Sequence, residues 1–412
     1  MKSHGIRNLM LICAGLIVAL ILTACGGGGG GGSSDNVGML NIHLADSPAC
    51  GYDNVFITVD HLEISTDGNS WKAIPLGLSV AQPIDLLSLR NGNVLTLART
   101  ALMEGTYQQV RLVLKANSGN SAPWLNAVVL SGNPSQIPLT TPSGQQSGFK
   151  ILGPITINRG AAVDLVLDFN ACKSVVAAGK SGIYLLKPVV TAMATVVSGT
   201  ISGFALAGSE VSAYAEDSNT SFITGTVISG TSGSGRFNLG PILDSTVPTG
   251  NLVDVVIVPP AISGQGTIVI QGVPVAAGST TWLSPPDGTS SFNETSATAS
   301  TINTVSGNVH IGSLLGIANV SASQTITSLA RTYQLAATTS LSFTGLYSLS
   351  LASSGPWLGS YNTTLPLILT EDTMGADAGI YSLVASDSMG PGPAQTINVA
   401  AGASTANFTL IQ

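Results

Sequence analysis

Gly38-Met39-Leu40-Asn41-Ile42-His43-Leu44 alternates apolar and polar residues, the two-residue period of a strand with one face on a core and the other toward solvent. Leu40, Ile42 and Leu44 share the apolar face. Val55, Ile57 and Val59 repeat the pattern, but Leu62 and Ile64 continue it in the opposite phase, which predicts a bulge near Asp60-His61. Asp67-Gly68 tolerates the positive φ of a hairpin turn, and Trp71 opens the return strand. Residues 83–89, with Leu86, Leu87 and Leu89 clustered before Asn91-Gly92, form the one short helical candidate. Residues 107–114 and 163–169 alternate again, and residues 183–190 supply a last strand whose Pro188 belongs at an edge or an end. The expected fold class is all-β.

Upstream of this pattern, Lys2 and Arg7 precede an apolar run from Leu9 to Leu22, 14 residues long. That is short of the ~20 residues that span a bilayer, so it reads as a signal peptide rather than as an uncleaved anchor helix. Leu22-Thr23-Ala24-Cys25 resembles the lipobox of bacterial lipoproteins, which implies that Cys25 is acylated and becomes the first residue of the exported chain. An acylated cysteine carrying several chains satisfies the two-signal requirement for stable attachment. Gly26 in place of aspartate implies, by resemblance to enterobacterial sorting, the outer membrane. Seven glycines follow Cys25, and residues 26–36 form a Gly/Ser tether with a reach of roughly 20 Å.

Charged residues are 8% of the chain against a typical ~25%, so the expected surface is polar but mostly uncharged. Beyond residue 24 the chain holds 12 basic and 21 acidic groups, and residues 198–412 hold Arg236 and Arg331 alone against eleven acids. Nucleic-acid binding needs clustered cations to displace counterions, and this distribution excludes it. Outside the signal peptide and Cys25, the cysteines are Cys50 and Cys172; two thiols in an oxidising compartment predict one disulfide.

Several ordered motifs carry a family resemblance: Gly38-x-Leu40-x-Ile42-x-Leu44-x-Asp46-x-Pro48, Tyr52-Asp53-x-Val55, Asp85-Leu86-Leu87, Gly105-x-Tyr107, Asp168-Phe169-x-Ala171-Cys172-Lys173 and Leu186-Lys187-Pro188. Together they resemble the bacterial lipoprotein domain catalogued as domain of unknown function 4382, over about residues 38–194. The resemblance implies architecture and brings no activity.

Residues 195–412 read as two copies of one unit. Val197-Ser198-Gly199-Thr200-Ile201 aligns with Val305-Ser306-Gly307-Asn308-Val309, and Val211-Ser212-Ala213 with Val320-Ser321-Ala322. Gly235-Arg236-Phe237-Asn238-Leu239 aligns with Gly345-Leu346-Tyr347-Ser348-Leu349, and Val275-Ala276-Ala277-Gly278 with Val399-Ala400-Ala401-Gly402. A period of about 110 residues fits an immunoglobulin-sized sandwich. The motif order resembles carboxypeptidase-regulatory, transthyretin-like modules, which implies spacing, adhesion or glycan contact. The expected organisation is a signal peptide at 1–24, the lipidated cysteine and tether at 25–37, a β-rich domain with a short helix at 38–196, and β-sandwich repeats at 197–303 and 304–412.

Candidate chemistry is sparse. Ser147-Gly148-Phe149-Lys150 matches the Ser-x-x-Lys of acyl enzymes but leads into a strand rather than a helix. Gly179-Lys180-Ser181 imitates the end of a P-loop without its first glycine or its βαβ setting. Asp46, Asp53, Asp60, Glu63, Asp164 and Asp168 are oxygen donors without calcium-loop spacing, and His43 and His61 are lone strand histidines. Trp282, Trp357, Tyr333, Tyr347, Tyr361 and Tyr381 are either core or a sugar-stacking platform. The expectation is a non-enzymatic, lipid-anchored envelope protein acting in binding, adhesion or structure. It calls for no cofactor or metal, and its partners are membrane lipid through Cys25 and a glycan or envelope protein. Carbohydrate binding is the alternative function, and a secreted hydrolase ranks last.

Overall fold

The computed structural model describes residues 36–46, 52–77, 82–141, 148–178, 182–194, 198–217, 220–230, 232–246, 250–292, 298–341, 344–373, 377–387 and 389–411. From Val37 onward they form one compact unit. It is built of strands, with only brief helical turns such as Leu86–Leu89 and Ala171–Ser174.

In the N-terminal module three sheets enclose one core. The first runs in the order Val190–Ala194, Ala162–Phe169, Val37–Asp46, Leu95–Met103, with the second and third strands parallel. Alternation does what it predicts: Leu40, Ile42 and Leu44 are fully buried, as are Val55 and Ile57. The phase change after Val59 is the bulge expected near Asp60-His61, where the pairing register shifts. Strand Tyr52–Ile57 lies in one sheet and Val59–Ser65 in another, so the chain changes sheets at Thr58, and a register shift between Val59 and His61 follows. Thr58 is buried there, its N–H donating to Asn126 Oδ1 at 3.0 Å and its hydroxyl to the Leu125 carbonyl at 2.6 Å.

The hairpin at Asp67-Gly68 forms, with Gly68 at φ 77° and Lys72–Ile74 returning along Val59–Ser65. Residues 83–89 form a two-residue strand and one 3-10 turn, capped by the Asp85 carboxylate, which accepts the Leu87 N–H. The strand expected over 183–190 is instead two strands, Tyr184–Leu186 and Val190–Ala194, in different sheets. Pro188 falls in the gap because it has no N–H for a ladder, and Lys187 and Val189 donate to the Ser174 carbonyl and hydroxyl instead.

The two C-terminal repeats share one pairing scheme. Ser198–Leu206 pairs antiparallel with Ser234–Leu243 and parallel with Thr280–Trp282. Ile302–Ile311 likewise pairs antiparallel with Leu346–Ala352 and parallel with Ser404–Thr405 and Phe408–Leu410. In the opposing sheets Glu210–Ala215 lies between Phe222–Val227 and Val253–Val258, and Asn319–Ile326 between Arg331–Thr339 and Ile380–Asp387. The repeated Ser-Gly has a steric basis. A Cβ on Gly199 would sit 2.3 Å from the Ala276 carbonyl oxygen, and one on Gly307 would sit 1.7 Å from that of Ala406. In both copies only glycine lets the closing segment lie against the first strand.

The modules are not separate beads. Strand Trp357–Ser360, from the second repeat's sequence, pairs parallel with Ile268–Val273 and extends the first repeat's sheet, and Leu367 belongs to the first repeat's core. Asn91, at φ 59°, accepts the Asn238 N–H at 2.7 Å and donates to the Arg236 carbonyl at 2.9 Å, joining the N-terminal module to the first repeat. Ile317 of the second repeat packs into the N-terminal core.

An ion network joins the two repeats. Arg331 places Nη1 2.8 Å from Asp254 Oδ2 and Nη2 2.5 Å from Glu216 Oε1, and the Tyr333 hydroxyl donates to Asp254 Oδ2 at 2.8 Å. Asp254 is wholly buried, which pushes its carboxyl above the usual range against the pull of Tyr333 and Arg331. Replacing Arg331 with Met therefore strands a buried carboxylate and is expected to cost about 3–5 kcal/mol. Urea denaturation checks this, and the double variant Arg331→Met, Asp254→Asn should recover most of the loss.

Candidate functional site

Where the three modules meet, a cavity of about 350 Å³ opens, within the ~300–1,000 Å³ of small-molecule sites. Strand alternation explains its lining. Along Glu210–Ala215, Val211 and Ala213 enter the first repeat's core, which turns Glu210, Ser212 and Tyr214 into the cavity. Along Asn319–Ile326, Val320 and Ala322 are buried, and Asn319 and Ser321 face the cavity. Gln334, Ala336 and Thr338 add a third row from the neighbouring strand. The N-terminal module closes one side with Asn170, Lys173 and Val176.

Capping positions the cation. The Asn170 side chain accepts the Lys173 N–H and starts the turn Ala171–Ser174, and Lys173 Nζ then lies 4.9 Å from the Phe222 ring centroid across the module boundary. Partial burial lowers the Lys173 ammonium below the ordinary lysine value. Tyr214 stands edge-on to both Phe222 and Tyr333, with centroids 5.6 and 5.2 Å apart, and its hydroxyl donates to the Gln334 carbonyl at 3.0 Å.

Two carboxylates complete the site. Glu210 is a solvent-exposed residue at the start of its strand, and the protein packed around its carboxyl pushes it up to about 7, against a smaller downward pull from Arg90. Asp387 is 8% exposed; its Oδ1 accepts the Met389 N–H at 2.8 Å, and its Oδ2 has no hydrogen-bond partner among the described residues. Asp46 Oδ2, Glu216 Oε2 and Asp254 Oδ1 are likewise without a partner among the described residues, but of these four carboxylates only Asp387 lines the cavity.

The residues singled out from sequence lie elsewhere. Cys25, Cys50, Ser147, Lys180 and Ser181 are outside the described residues, and of Cys172 only the backbone is described, within Ala171–Ser174. Lys150 lies 5.7 Å from the Trp71 ring, which Arg111 also covers at 4.4 Å while pairing with Glu63. The acidic candidates are dispersed. Asp46 is buried and accepts the Ala171 N–H at 3.1 Å, Asp53 accepts from Ser131, Asp60 pairs with His61, and Asp164 lies near Asn41 and His43. Among the described residues no group of three or more His, Cys, Asp or Glu is arranged to hold a metal. Tyr333, Tyr347 and Tyr381 are core residues, whereas Trp282, Trp357 and Tyr361 are half-buried. Trp282 is flanked by Phe204, stacked at 6.5 Å, and by Arg236 at 4.7 Å.

Comparison with known proteins places one domain. Residues 37–188 match the family model described as Domain of unknown function (DUF4382), so a DUF4382 domain occupies the N-terminal module. The search of curated proteins returns no match. Among solved structures, the Bacillus anthracis TIE protein is 10% identical, with 91% of this chain and 50% of that chain covered and a TM-score of 0.17; this chain thus spans half of its length. The Corynebacterium diphtheriae major pilin SpaA is 10% identical over 91% of this chain and 100% of its own, with a TM-score of 0.19. A streptococcal ancillary pilin is 8% identical over 90% and 99%, with a TM-score of 0.15. They are remote similarities only.

Glu210 makes a pH signature. Its proton is held more tightly in the folded chain than in the unfolded one, so its contribution to stability is complete below about 4.5 and is lost as pH rises through about 7. The urea midpoint of Glu210→Gln should therefore fall less than that of the wild type between these pH values. A pair of titration series compared at each pH reads this difference directly.

Proposed function

We propose that this chain is a lipid-anchored cell-envelope protein, held through Cys25, that acts by non-catalytic binding, adhesion or structural support. The observation that carries the reading is the fusion of three β modules into one unit around a shared junction. A donated strand, a buried ion network and a cross-packed isoleucine fix their relative placement, which suits recognition or load-bearing. The signal-peptide pattern and Leu22-Thr23-Ala24-Cys25 support the tether, and Gly26 favours the outer membrane. The C-terminal repeats act as carboxypeptidase-regulatory-like spacers in this reading, supported by their shared pairing scheme and Ser-Gly glycine.

A disulfide between Cys50 and Cys172 belongs to the same proposal. Cys50 lies between Asp46 and Tyr52 in sequence. Asp46 accepts the N–H of Ala171, and the Tyr52 hydroxyl donates to the Val175 carbonyl at 3.3 Å. Both flanks of one cysteine are thus held against both flanks of the other, and the bridge would stabilise the fold by about 4–5 kcal/mol in the chain-entropy model. Carbohydrate binding is a second reading, favoured by the polar lining of the junction cavity.

Two measurements test the tether and the bridge. Cys25→Ala should move the protein from the membrane to the soluble fraction with a mass lacking acyl chains; unchanged membrane fractionation would refute the tether. Free-thiol labelling of the unfolded, unreduced exported protein should find no reactive thiol, and two labelled cysteines would refute the bridge.

A further inference from the structure

Hydrogen-bonding capacity in the junction cavity narrows what could occupy it. Ser212, Ser321 and Thr338 present hydroxyls and Gln334 an amide, groups that both donate and accept, while Asn319 Oδ1 already accepts the Thr339 hydroxyl at 3.1 Å and leaves its amide N–H to donate. Glu210 and Asp387 when ionised only accept, and Asp387 Oδ2 has no donor among the described residues. Lys173 only donates. An alkylamine would offer one donor group and leave the hydroxyls and amides unmatched. A carboxylate ligand would meet two carboxylates against one ammonium. A wholly apolar ligand would strip water from every one of these groups without replacing it.

A ligand that matches the lining must itself carry several groups that donate and accept, spaced around a compact ring, with an apolar face for Phe222 and Tyr214. Those are the properties of a pyranose. We propose that the junction cavity is a saccharide-binding site sized for a mono- or disaccharide. The hydroxyl and amide rows of the two repeats hold its ring hydroxyls, and Asp387 Oδ2 accepts from one of them. Half-buried Phe222 borders the ring, and Tyr214, 4% exposed, backs it from the core. The site draws on all three modules: Lys173 from the first, Glu210 and Ser212 from the second, and Asn319, Gln334 and Asp387 from the third. It therefore exists only when the modules are docked. This inference rests on the reading of the chain as a binding protein but not on its tether.

The test uses the full chain in detergent and a panel of glucose, galactose, N-acetylglucosamine, maltose, cellobiose and chitobiose. Saturation-transfer NMR detects binding and calorimetry measures it. At least one of these sugars should bind with millimolar or tighter affinity. Ala336→Trp, which puts an indole on the cavity wall, should weaken that affinity about tenfold or more, while Trp282→Ala changes it less than about twofold. Ser321→Phe serves the same purpose if Ala336→Trp does not fold, as judged by its urea transition. Absence of binding by every sugar to the folded protein overturns the assignment, as does binding that survives both filling variants or is lost in Trp282→Ala. Failure here leaves the envelope reading to its own fractionation test, so the two can be told apart.

Discussion

The fully buried Asp254 carboxylate sets the terms for the C-terminal half of this molecule. It lies on a strand of the first repeat, and its charge is answered by Arg331 and Tyr333 of the second, so neither repeat alone satisfies it. A buried ion pair is weak evidence for added stability, but it penalises any arrangement that separates the partners. Together with the parallel pairing of Trp357–Ser360 onto the first repeat's sheet, it fixes the angle between two sandwiches that covalent connection alone would leave free. The cavity depends on that angle.

This explains the economy of charge seen in the sequence. Residues 198–412 carry two cations, and both are spent on packing: Arg331 in the ion network and Arg236 over the Trp282 ring. The outward strand positions are filled instead with serine, threonine, asparagine and glutamine. Such a surface can approach another module without desolvating full charges, which cost far more to bury than hydroxyls or amides. The same chemistry makes the junction receptive to a polar, neutral ligand.

The repeats also show how a short motif encodes a contact. Ser-Gly recurs because the closing segment of each unit presses its carbonyl against the first strand, and a methyl group there would overlap it. Phe237 and Leu239 in one copy and Tyr347 and Leu349 in the other fill the same inward positions. The connections between these rows differ, and one of them carries the strand Trp357–Ser360 into the neighbouring sheet.

The sequence by itself determined the local physics: which residues of each strand face a core, the Asp67-Gly68 turn, the repeat of about 110 residues and the DUF4382 domain. It placed the bulge at Asp60-His61, where the register does shift, but it gave no sign that the chain changes sheets at Thr58 and it ran one strand through Pro188, because alternation does not say which sheet a strand joins. Only the tertiary structure decided that the polar rows through Ser212, Asn319 and Gln334 face one another. A period of two assigns each residue to the outer side of its own sheet, and that side is solvent or a cavity wall according to which module docks there. Lys173, Glu210 and Asp387 lie far apart along the chain, so no spacing could announce that they line one space.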